Sequence, residues 1–176
     1  LAPALHPREL AYCGLFGAAA LLLPVLFHLV RLGHVFMPMY LPLVALACLV
    51  RPLPAALTAL AAPLLSAALT GMPPFYPPVA VLMALELSLM GALLAWLRAR
   101  FARAPLLLHL LPVLLVGRAL HLGLVVVFAL AVELPAGFVA GASLLSGWPG
   151  LLLMLAVIPP LVRLVPRRPA VEEASA

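Results

Sequence analysis

The chain has 176 residues, of which 67% are hydrophobic and only 9% charged, and its mean hydropathy is +1.29. A water-soluble domain of this size cannot hide so much apolar surface, so a bilayer must act as its solvent. The net charge of +5 comes from Arg and Glu alone. All the Arg residues but Arg118 stand at the ends of apolar runs, without a polar face interleaved with aromatics, which excludes a nucleic-acid reading and makes anionic lipid headgroups the charged partner.

A spanning helix needs about 20 mostly apolar residues, and the chain has room for about six. The expectation is an all-α integral membrane bundle of six transmembrane helices in one domain, residues 1–165, with no independent soluble part. Span one is expected over Glu9–Val30, after the polar start His6-Pro7-Arg8. It reads as a first crossing and not as a cleaved signal, because further apolar runs follow it. Span two, Met37–Val50, is short for a full crossing, and span three covers Pro54–Thr70. Gly71-Met72-Pro73-Pro74-Phe75-Tyr76-Pro77-Pro78 then breaks the chain, since Pro lacks an amide donor and Gly frees the backbone.

Span four covers Val79–Leu97 and is closed by Arg98, Arg100 and Arg103. Span five covers Pro105–Val132, with Pro112 as a candidate kink. Small residues fill Gly137–Gly147, span six covers Trp148–Leu164, and residues 166–176 read as a polar, disordered cytoplasmic tail. With six spans, Arg8, Arg51, Arg98, Arg100, Arg103, Arg163, Arg167 and Arg168 collect on one side and Arg31 alone on the other. Basic residues stay on the cytoplasmic side, which places both termini there. Trp96 and Trp148 fall at span ends, where interfacial aromatics gather.

Glu86 and Arg118 are the informative polar positions, both well inside apolar spans. A charge at the bilayer centre costs at least about 2.5–3.5 kcal/mol on insertion scales, so such residues face the bundle interior and find partners. Spans four and five are consecutive and antiparallel, so Glu86 can meet Arg118, either as a structural pair or as part of a ligand site. His121, three residues after Arg118, shares its helix face and extends the polar cluster. His28, Arg31, His34, Met37 and Met39 gather in the first outward loop, but their spacing matches no metal motif, and no metal or cofactor is expected. Cys13 and Cys48 lie in apolar runs with no CxxC spacing and read as buried small hydrophobes.

Ala11, Gly14 and Ala18 form a small-residue stripe on span one, suited to close helix approach within the chain or onto another subunit. No HExxH, GxSxG or Walker sequence occurs, and no Ser has a His partner at a fixed offset, so an enzyme is not expected and any ATP hydrolysis must reside in another chain.

Three stretches together resemble the substrate-specific (S) components of energy-coupling-factor transporters. They are His34-Val35-Phe36-Met37-Pro38-Met39-Tyr40-Leu41-Pro42, then Ala62-Pro63-Leu64-Leu65-Ser66 leading to Leu69-Thr70-Gly71-Met72-Pro73-Pro74, then Met83-Ala84-Leu85-Glu86-Leu87 with Gly91 and Gly117-Arg118 beyond. The resemblance covers Glu9 to His121. It implies a multi-pass subunit of a prokaryotic plasma membrane that captures a vitamin-like micronutrient from outside. It also implies docking on a transmembrane scaffold subunit that carries two ATPases.

The family's small-residue stripe on the first helix would correspond to Ala11, Gly14 and Ala18, with Gly14 departing from the usual Ala pair. Its pocket, under the first outward loop, would draw on His34, Met37, Thr70, Tyr76, Glu86, Arg118 and His121. The alternative reading is a structural membrane protein of a cell-envelope assembly, resembling the rod-shape protein of the D type, with Glu86 and Arg118 pinning helices and no small-molecule substrate.

Overall fold

The computed structural model describes residues 6–29, 36–76, 78–132 and 147–165. Among these the chain is all-helical: α1 (Pro7–Leu29), α2 (Tyr40–Ala47), α3 (Pro52–Thr70), α4 (Val79–Arg100), α5 (Leu106–Ala131) and α6 (Trp148–Leu164). Four of them, α1, α3, α4 and α5, are long and apolar enough to cross a membrane.

Local sequence sets the boundaries. Pro7, Pro52 and Pro149 sit in the first turns of α1, α3 and α6, where a missing amide costs nothing and the fixed φ favours helix. Gly71 ends α3 at φ 73° in the left-handed region and donates its amide to the Ala67 carbonyl at 2.9 Å, closing the last turn. Beyond it, Ser66 Oγ donates to the Met72 carbonyl at 2.7 Å, and the Met72 amide donates to Thr70 Oγ1 at 3.2 Å, so side chains satisfy the turn that the Pro run leaves short of partners. α5 runs unbroken through Pro112.

The second predicted span differs from expectation. Its helix holds only 8 residues, Tyr40–Ala47, about 12 Å at 1.5 Å per residue, well short of a bilayer's apolar thickness. Tyr40, Pro42, Leu43, Val44, Ala45, Leu46 and Ala47 are all buried, because α2 packs against α1, α3, α4 and α6 at once. An apolar run buried on every side reads in sequence like a lipid-facing span, and only its shortness hints at the difference. α6, with 17 residues, spans about 25 Å.

The most extensive packing joins α3 to α4. Their facing positions are small: Ala55, Ala59 and Ala62 on α3, Gly91 and Ala95 on α4. A Cβ at Gly91 would lie 3.4 Å from the Ala55 carbonyl oxygen, so the two backbones are nearly in contact, the packing mode that replaces the hydrophobic effect between helices in lipid. Outward faces are Leu-rich, including Leu57, Leu65, Leu89, Leu93, Leu108 and Leu152. Glu86, His109, Arg118 and Ser66 are buried instead. Polar inside and leucine outside is the pattern of a protein solvated by lipid.

At one end of the bundle Glu9 of α1 meets Arg51, the residue before α3. Arg51 Nη2 lies 2.7 Å from Glu9 Oε2, its Nε 3.0 Å from both oxygens, and its amide 3.0 Å from Oε1. The Arg51 side chain is 39% exposed, so solvent screens the pair. Replacing Arg51 by Ala is expected to cost about 0.5–1 kcal/mol, shrinking as salt rises. Unfolding in detergent at two salt concentrations measures it, and a salt-independent loss would contradict the ion-pair assignment.

Candidate functional site

On α4 the buried positions recur at helical spacing: Leu82, Glu86, Met90 and Leu94 down one line, Leu87, Gly91 and Ala95 beside it. Glu86 thus occupies a core position and has 0% exposure. On α5 the inward face carries Leu110, Val113, Leu114, Gly117, Arg118 and Val125, with His121 one turn beyond Arg118. A Cβ at Gly117 would collide with the Met90 thioether. Gly117 therefore lets α5 approach α4 closely at the level of the charges.

That approach assembles one cluster from three helices and the segment before α2. Tyr40 Oη, on the first residue of α2, donates to Glu86 Oε2 at 2.7 Å. His121 Nδ1 lies 2.6 Å from the same oxygen. The ring tautomer of His121 sets which partner carries the proton of this contact. Among the described residues Glu86 Oε1 is buried with no hydrogen-bond partner. Arg118 Nη1 contacts Met37 Sδ at 3.4 Å, and the Met37 carbonyl accepts from the Tyr40 amide at 3.0 Å, so Met37 joins the two sides of the cluster.

Met37 is held at φ 46°, in the left-handed region that a side chain rarely adopts. Packing enforces it: Cβ atoms at Gly147 and Gly150 would lie 2.9 and 3.2 Å from Met37 Cε, and one at Gly150 would lie 2.7 Å from the Phe36 carbonyl oxygen. These glycines let Phe36 and Met37 lie directly on the start of α6. Phe36 also meets Phe27 of α1 edge to face, with centroids 6.0 Å apart.

Of the seven candidate binding residues, the structure brings together Met37, Glu86, Arg118 and His121. Thr70 is exposed and its hydroxyl is engaged in the turn after α3, 2.8 Å from the Ser66 carbonyl. Tyr76 is 75% exposed and lies apart from the cluster's hydrogen bonds. His34 lies outside the described residues. Tyr40 joins the cluster as well, and a phenol in an otherwise apolar run is the sequence signal for it, since a buried Tyr hydroxyl needs a partner.

Another buried polar group is His109, whose Nδ1 has no hydrogen-bond partner among the described residues. It lies three turns before His121 on α5. No group of three or more His, Cys, Asp or Glu able to hold a metal occurs among the described residues. The stripe Ala11, Gly14 and Ala18 is exposed along α1, and a Cβ at Gly14 would meet nothing within 4 Å. Comparison with family models, curated proteins and solved structures gave no match.

Proposed function

We propose that the chain is a membrane-embedded solute-binding subunit, similar to the S components of energy-coupling-factor importers, which captures a vitamin-like micronutrient and has no catalytic turnover of its own. The observation that carries this reading is the buried cluster of Glu86, His121, Tyr40, Arg118 and Met37 inside an otherwise apolar bundle. Charge within a membrane protein is costly and is kept where a solute or ion is handled. The cluster lies at the start of α2, α4 and α6, away from the Arg-rich ends Arg51, Arg98 and Arg163. Under the positive-inside rule that is the outer half of the bundle of a cell-membrane protein, where a ligand arriving from outside would bind.

The exposed stripe on α1 supports a partner. Ala11, Gly14 and Ala18 offer a flat strip to a second helix, as docking on a transmembrane scaffold subunit carrying two ATPases would require. Purification of the tagged protein from its own membranes is expected to bring down a transmembrane subunit together with ATPases. Substituting Gly14→Leu should remove them while leaving the monomer's melting temperature unchanged, because nothing lies within 4 Å of an added Cβ there. Recovery of a cell-envelope assembly in their place would favour the structural reading.

A further inference from the structure

The two oxygens of Glu86 are treated unequally. Oε2 faces both Tyr40 Oη and His121 Nδ1. Oε1 is buried and accepts no hydrogen bond among the described residues. A carboxylate offers about four lone-pair positions, and one left unmet in a low-dielectric interior carries its full desolvation penalty. The neighbouring turns of α4 cannot meet it: Leu82, Met83 and Met90 have no donor, and helix amides are already engaged. Among the described residues the fold places a costly acceptor in the cluster and no hydrogen bond reaches it.

We infer that Glu86 Oε1 is the recognition point for an N–H donor of the ligand, of the amine or amidine class, while Tyr40 and His121 hold the carboxylate in place through Oε2. This rests on the solute-binding reading and adds the chemical class of the group that Glu86 recognises. A cationic N–H is the strongest complement to a buried carboxylate, and an amidine or amine presents it in a compact form. Tyr40 and His121 act as positioning residues in this arrangement, because both are spent on the oxygen that the ligand does not use.

Glu86→Gln tests the assignment sharply. To keep accepting from Tyr40 Oη, the amide must turn its oxygen to that hydroxyl, which leaves its NH2 where Oε1 stood. A donor then faces a donor. The probes are benzamidinium, benzoate and benzyl alcohol, which share a ring and differ in the polar group.

Benzamidinium is expected to raise the melting temperature of the wild-type protein saturably, by about 3 °C at ~10 times its dissociation constant. Benzoate and benzyl alcohol should not, and E86Q should abolish the effect. Stabilisation by benzoate alone, silence of all three probes, or an equal benzamidinium shift in E86Q would each overturn the inference. Should E86Q not fold, Glu86→Asp draws the oxygens back by one methylene while keeping the charge, and at least tenfold weaker benzamidinium binding is expected. Unchanged affinity in E86D would overturn the assignment. A co-purifying compound that lacks an N–H donor would also overturn it, while leaving the solute-binding reading standing.

Discussion

Replacing Glu86 with Ala is expected to destabilise the protein by about 3–5 kcal/mol, the usual cost of removing one partner from a buried charged cluster. The residue has 0% exposure, so water cannot take over for the lost carboxylate. Tyr40 Oη and His121 Nδ1 would each lose the partner oxygen they now share at 2.7 and 2.6 Å.

Tyr40→Phe separates one part of this. It removes a single hydroxyl and keeps the ring, so the expected loss is that of one hydrogen bond to a charged group, about 1.5–3 kcal/mol. Because both changes act on one oxygen, the double variant should lose much less than the sum of the two single losses. Unfolding by a denaturing detergent in mixed micelles measures all three. Additive losses would show that Tyr40 and Glu86 do not stabilise each other.

The second large effect is expected at Gly150. An added methyl group would lie 2.7 Å from the Phe36 carbonyl oxygen and 2.9 Å from its carbon. These are backbone atoms, so no side-chain rotation relieves the clash, and α6 or the Phe36–Met37 segment must shift. Gly150→Ala should therefore cost about 1–3 kcal/mol, in the range of overpacked cores. Because Met37 lies against Gly147 and Gly150 and reaches Arg118, the same change should also weaken ligand binding. Gly14→Ala is the control: nothing lies within 4 Å of its added methyl group, and no loss of stability is expected. Equal melting temperatures for the Gly150→Ala and Gly14→Ala proteins would contradict the packing described for the start of α6.

Much of the helix plan is legible in the sequence. The Pro and Gly residues around Arg51, Gly71–Pro78 and Gly147 mark boundaries by local backbone chemistry alone, and α3, α4, α5 and α6 fall within a few residues of where those signals place them. The inward position of Glu86 and Arg118 follows from the cost of charge in lipid, and the structure buries both.

What the sequence does not carry is which groups meet. Spacing suggests Glu86 opposite Arg118, whereas the contacts on Glu86 Oε2 come from Tyr40 and His121. The reason is that α2 is short and enters the bundle centre, bringing a phenol to a carboxylate 46 residues later. Hydropathy cannot distinguish a run buried by protein from one buried by lipid. The tight fit of Gly150 against Phe36 is likewise invisible until distant segments are brought together.

The role proposed for the buried cluster is to hold a small molecule. Native mass spectrometry of the detergent-purified protein, followed by denaturation and identification of what is released, tests it most directly. The expected result is one stoichiometric vitamin-like compound, lost when Glu86 or Arg118 is substituted in a protein that remains folded. A clean unliganded mass that does not shift after soaking with a vitamin panel would contradict the claim and leave the cluster as a device that only holds helices together.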